Sequence, residues 1–169
     1  MLYKCLLLGA LVACCKKIGD FVVTAQRDRV QAMRALREGC RALLEALSQK
    51  EYAFPRALCW AEERSGVGLF GALAERLRKD PMAEVQPLAE AAFEAYGRAV
   101  DADLREACLQ YFSEAAAAET KTQLQQSGAA CLEKMAERLR ALEREQRDKA
   151  KVVRAVSLSA GLTVVILLL

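Results

Sequence analysis

The sequence predicts an all-α protein, an antiparallel bundle of about six helices with a short membrane segment at each end. Three observations carry that expectation. Apolar residues make up 54% of the 169-residue chain but aromatics only 6%, and Ala, Leu, Glu and Arg, which favour helices over sheets, supply much of it. Apolar side chains recur at three- and four-residue steps through the middle of the chain. The three prolines, Pro55, Pro81 and Pro87, fall where that periodicity breaks.

The first segment, residues 1–25, opens with "MLYKCLLLGALVACCKK". An eleven-residue apolar run, 5–15, is bracketed by Lys4 on one side and by Lys16 and Lys17 on the other. Its length is closer to a signal-peptide core than to a full membrane span, and "LVAC" at 11–14 resembles a lipoprotein cleavage box with Cys14 as the acylated residue.

From Gln26 to Leu47 the chain holds one glycine and no proline, with Met33, Leu36, Cys40, Leu43, Leu44 and Leu47 at helical steps. This predicts a long first helix with Arg34, Arg37 and Arg41 on its wet side. "SQKEYAFP" interrupts it, and Pro55 suits the first turn of a second helix carrying Leu58 and Trp60 through roughly Arg64.

"SGVGLFG" follows, placing Gly66, Gly68 and Gly71 in the GxGxxG spacing that wraps a dinucleotide pyrophosphate when a strand precedes it. Here "RALCWAEER" precedes it, which is helical. Gly66 is accordingly a helix stop and Gly68 the freedom for a tight turn into a third helix with Leu69, Phe70, Leu73 and Leu77.

"KDPMAEVQP" is the next break, with Asp80 expected to N-cap ahead of Pro81 and a fourth helix starting near Pro87 and running through Leu88, Phe93, Tyr96 and Val100. In "DADL", Asp101 or Asp103 is expected to accept from the free N–H groups of a fifth helix through Leu104, Cys108, Tyr111 and Phe112. From Glu119 onward no proline occurs, and a final helix with Leu132, Met135, Leu139 and Leu142 is expected to continue into the C-terminal segment. That stripe can pack on the core or on a partner. Glu143 with Arg147 and Glu145 with Lys149 stand four apart in the favourable order.

The last fifteen residues, "AVSLSAGLTVVILLL", carry no charge. As a helix they reach about 22 Å, short of a hydrocarbon core of roughly 30 Å. A C-terminal anchor over 152–169 therefore borrows Val152 and Val153 while Arg154 snorkels. Lys16 and Lys17 after the first apolar run, with Lys149, Lys151 and Arg154 around the start of the last, place the bundle, residues 26–151, in the cytoplasm by the positive-inside rule. The alternative is an exported lipoprotein acylated at Cys14, its helical domain outside the cytoplasm.

Composition also narrows function. The 25 basic and 22 acidic residues leave a net charge of +3, too weak for a nucleic-acid binder. Histidine is absent, removing the commonest general base and metal ligand. Seven cysteines show no CxxC pair, so neither a zinc site nor a disulfide framework is expected. They suit a reducing compartment and small buried positions. No GxxxxGK[ST], HExxH or GxSxG motif is present. Binding without catalysis is the expectation, with no catalytic residue, cofactor, metal or small-molecule substrate. Candidate docking residues are Tyr52, Pro55 and Arg56 at the first turn and Arg76, Arg78 and Lys79 on the third helix.

The layout resembles the stage III sporulation protein AB family of endospore-forming bacteria. "EYAFPRAL" at 51–58 is similar to that family's Tyr, Pro and Ala-Leu pattern after the first long helix, "GLFGALAERL" at 68–77 to its Leu-Phe and following amphipathic helix, and "GLTVVILLL" to its closing anchor. One stretch departs: "FSEAAAAETKTQLQQ" lacks the Gly and Asp that relatives carry before the last long helix. The resemblance implies a non-enzymatic role, a soluble domain similar to the cytoplasmic domains of the type II secretion platform protein, and membership of the secretion-like channel complex between mother cell and forespore. It implies a place in the mother-cell membrane and a secretion-ATPase-like partner docking on the cytoplasmic domain.

Overall fold

The structure, a computed structural model, describes residues 2–96 and 100–166. They form six helices: α1 (Leu2–Ser48), α2 (Phe54–Ser65), α3 (Leu69–Lys79), α4 (Val85–Tyr96), α5 (Ala102–Ala117) and α6 (Lys121–Ile166). No strand occurs among the described residues, as the composition predicts.

The chain divides into two compact units, Met1–Gln31 with Arg140–Leu169, and Ala32–Leu139. In the second unit α2, α3, α4 and α5 pack in succession. The expected apolar stripes form its core: Leu36, Cys40 and Leu43 of α1, Leu58 of α2, Leu69, Phe70 and Leu73 of α3, and Met135 of α6 are all buried. Phe112 of α5 is the hub of the aromatic content, edge-on to Phe70 at 5.8 Å and stacked on Phe93 of α4 at 6.2 Å. Each such ring pair adds about 1 kcal/mol beyond the area it buries. No charged side chain is buried among the described residues, so apolar burial carries the cohesion of this unit.

Two glycines set how closely helices approach. A Cβ on Gly39 of α1 would lie 2.1 Å from Phe70 Cε2, and one on Gly128 of α6 would lie 2.8 Å from Leu44 Cδ1. The bare backbone at Gly39 is the seat on which the Phe70 ring rests.

In the first unit Val30 and Leu142 are buried, whereas Phe21, Val152 and Val156 stand exposed. Lys149 pairs with Glu145 at 2.5 Å in the expected four-residue step. No helix among the described residues is long and apolar enough to cross a membrane. The side chains of Cys5, Cys14, Cys15, Lys16 and Arg154, and residues 167–169 of the closing apolar stretch, lie outside the described ones.

Three helix ends differ from expectation. Asp80 does not open a helix; it closes α3, its N–H donating to the Arg76 carbonyl, and residues 80–84 form the turn that Pro81 imposes. The fourth helix starts at Val85 and ends at Tyr96, with Pro87 tolerated in the first turn where an N–H has no helical partner to lose. Val100 lies outside a helix, and residues 97–99 lie outside the described ones. Asp101 does occupy the N-cap position of α5, but its side chain makes no capping bond. Its carboxylate accepts instead from Arg138 Nε of α6, because a guanidinium offers a charged partner where the helix offers a neutral N–H.

Candidate functional site

The glycine-rich turn resolves first. Gly66 ends α2 in the left-handed conformation, φ 59° and ψ 28°, and Gly68 precedes α3 with φ 85°. Both positions disfavour a side chain. The Glu62 carboxylate reaches over from α2 and accepts the Gly68 N–H at 2.6 Å and the Gly71 N–H at 3.0 Å. An anion does sit on the N-terminus of this helix, where its dipole and free N–H groups favour one, and that anion is the protein's own side chain.

The corner between α1 and α2 has a different character. The Tyr52 N–H donates to the Ala46 carbonyl at 3.1 Å, and this tight reversal holds Glu51 at φ 54°, a left-handed conformation that a glutamate adopts at a cost of about 1 kcal/mol. The Glu51 carboxylate pairs with Lys121 at the start of α6. The chain then places Tyr52 edge-on to Trp60 with centroids 6.3 Å apart.

Cations cover both rings. Lys50 Nζ stands 3.7 Å above the Trp60 ring, Arg64 approaches the same ring at 5.1 Å, and Arg56 lies 4.3 Å from the Tyr52 centroid. Lys50, Pro55, Arg56 and Arg64 are exposed, with Tyr52 and Trp60 half-buried. Trp60 Nε1 has no hydrogen-bond partner among the described residues. Trp, Tyr and Arg are the residues that most often dominate the energetics of protein interfaces, and a backbone position held under strain is a further mark of a functional place.

Of the sequence candidates, Tyr52, Pro55 and Arg56 belong to this corner. Lys50, Trp60 and Arg64 complete it and were not among them; the spacing of Trp60 and Arg64 along one face of α2 was the available signal. The other three candidates are scattered in role. Arg76 donates to the Ala91 carbonyl at 3.3 Å and so ties α3 to α4, Lys79 pairs with Glu75 one turn away at 3.0 Å, and Arg78 is exposed. Of the membrane-flanking residues, Lys17, Lys149 and Lys151 are exposed.

A second cluster lies in the core. Cys40 of α1, Cys108 of α5 and Cys131 of α6 are buried free thiols, and their sulfurs lie within 4.8 Å of one another. Hydrogen bonds from Cys108 and then Cys40 hold the Cys131 thiol well below its ordinary range, with the Lys134 charge contributing. Cys40 is pushed up by its hydrogen bonds to Cys108 and Cys131 and by burial. Cys131 and Tyr111 line a pocket of about 60 Å³ together with Gln110, Glu114 and Lys134. Burial first, and then the neighbouring Cys40 and Cys131 sulfurs, raise the Tyr111 hydroxyl, which has no hydrogen-bond partner among the described residues. The fourth described cysteine, Cys59, is exposed.

Fold and surface together define an all-helical bundle protein with an exposed cation-aromatic corner. The family model of stage III sporulation protein AB (spore_III_AB) matches residues 4–169, nearly the whole chain, and the chain belongs to that family. A role in sporulation follows from that membership. No curated protein and no solved structure matches the chain.

Proposed function

We propose that this protein is a non-enzymatic, membrane-attached component of the sporulation channel complex between mother cell and forespore, whose helical domain docks a secretion-ATPase-like partner from the cytoplasmic side. The observation that carries the docking reading is the α1–α2 corner, where Lys50, Arg56 and Arg64 surround Tyr52 and Trp60. Such a surface fits a partner that presents acidic side chains around an apolar cleft, because steering charges and a rigid aromatic anchor are then supplied by one side.

Membrane attachment rests on the charge-free stretch 155–169 and on the exposed Phe21, Val152 and Val156 of the unit that contains both ends of the chain. Lys17, Lys149 and Lys151 give these ends the basic flank of a cytoplasmic face.

The test is in-cell crosslinking during sporulation, with a photoreactive residue at Arg56 in the full chain. Crosslinks to an ATPase-like protein that disappear with Trp60→Ala are expected; crosslinking that is unaffected by Trp60→Ala sinks the assignment of this corner. Topology is read separately, by protease protection of a tag inserted at Pro81 in spheroplasts. A second reading, an exported lipoprotein acylated at Cys14, is favoured by the "LVAC" box at 11–14. It requires cleavage of that tag in intact spheroplasts, together with lipid incorporation that Cys14→Ala abolishes.

A further inference from the structure

We propose that Cys40, Cys108 and Cys131 form a binding site for one thiophilic metal ion of the zinc class, held between α1, α5 and α6. The three donors come from helices far apart in sequence, and their sulfurs converge within 4.8 Å. Sulfurs bound to one zinc at about 2.3 Å each stand about 3.8 Å apart in a tetrahedral site. An ion therefore needs to draw each pair together by at most about 1 Å, within the reach of side-chain adjustment.

Donor type selects the ion. Three sulfurs with no carboxylate or imidazole among them favour Zn(II) and other soft cations over Mg(II), Ca(II) or Mn(II). Three small apolar residues would fill this part of the core equally well, and they would need no common meeting point for their terminal atoms. The thiol protons that remain on the ligating sulfurs are released to solvent when the ion binds.

The surroundings leave room for a fourth ligand on the Cys131 side. The pocket beside Cys131 has a volume of about 60 Å³, room for a water molecule that completes a tetrahedron. Tyr111 is 1% exposed, lines that pocket, and leaves its hydroxyl without a partner among the described residues. A buried hydroxyl in that condition is unfavourable, and a metal-bound water gives it a partner. Three thiolates on a dication leave one negative charge, which Lys134 at the pocket wall faces.

The experiment uses the reduced full chain in detergent with Cys5, Cys14, Cys15 and Cys59 changed to Ser, titrated with Co(II) and then Zn(II). One Co(II) per chain is expected, giving sulfur-to-cobalt charge-transfer bands and intense visible bands of tetrahedral thiolate coordination that stoichiometric Zn(II) bleaches. Adding Cys131→Ser is expected to weaken Co(II) binding at least tenfold. A second measurement needs no change to the cluster. In the wild-type chain, peptide-mapped alkylation of Cys40, Cys108 and Cys131 is expected to slow with Zn(II), and that of Cys59 to stay the same. Absence of thiolate bands at one equivalent overturns the proposal. So do bands undiminished by Cys131→Ser in a chain that keeps its helical circular dichroism, or cluster alkylation indifferent to Zn(II).

Discussion

A carboxylate oxygen of Glu62 lies 2.6 Å from the Gly68 nitrogen, so one side chain of α2 closes the N-terminus of α3. Its second oxygen accepts from Gly71, and Glu62→Ala leaves both donors to solvent. That substitution is expected to lower the unfolding free energy by about 1 kcal/mol, read as a shift in urea midpoint. Glu62→Gln keeps one acceptor, loses the charge on the helix dipole, and is expected to fall between the two. Equal midpoints for wild type and Glu62→Ala would show the cap to be energetically idle.

Gly39→Ala sets two effects against each other. The helix gains about 1 kcal/mol of propensity, but the new methyl lies 2.1 Å from Phe70 Cε2, and Phe70 is fully buried against Phe112. Overpacking of that kind costs about 1–3 kcal/mol or more, so net destabilisation is expected. Gly128→Ala meets the side chain of the half-buried Leu44, its Cδ1 nearest at 2.8 Å and its Cγ at 3.3 Å, and that flexible side chain can shift aside. Thermal melts are expected to rank Gly39→Ala well below Gly128→Ala, with the latter within about 1 kcal/mol of wild type.

The Asp101–Arg138 pair joins the start of α5 to α6 with side chains 35% and 39% exposed. At that exposure solvent screens the charges, and a double-mutant cycle with Ala at both positions is expected to return a coupling of about 0.5–1 kcal/mol. It is expected to shrink in high salt. A coupling near zero would make the pair incidental.

Most of the helices were legible in the sequence because each buries one stripe, and the steps through Met33, Leu36, Cys40 and Leu43 or Leu69, Phe70, Leu73 and Leu77 can arise only if one face turns inward. Pro55 and Gly66 bound α2 for reasons that are local to them. Asp80 closes a helix where it was expected to open one, and Asp101 holds the expected N-cap position but bonds elsewhere, because an aspartate's partner is a tertiary fact. The Arg138 that captures Asp101 lies 37 residues away, and no local pattern points to it. The cysteine cluster was illegible for the same reason. Metal-ligand spacing is recognisable when ligands share a loop, whereas these three share only a meeting point of α1, α5 and α6.

Cys131 gives a pH dependence with a defined sign. Its thiol, ordinarily near 9.0, is lowered to about 4 in the fold, so its thiolate contributes stability that is complete above the unfolded value and is lost as pH falls through that interval. Cys40 is shifted the other way and offsets this only above the ordinary thiol range. In metal-free, reduced buffer, the stability advantage of wild type over Cys131→Ser is expected to widen from about pH 5 to about pH 8. An advantage that is flat with pH would mean that Cys131 acts through its size alone.

Trp60 is the only tryptophan of the chain, and it stands with Lys50 3.7 Å above its ring. Fluorescence excited at the red edge of the protein spectrum therefore reports on this corner and nowhere else. An ammonium so close to the indole sets the colour and brightness of that emission, and anything that lifts Lys50 away changes both. The protein carries its own optical label at the surface where docking is proposed, and a partner can be watched arriving without a dye being attached.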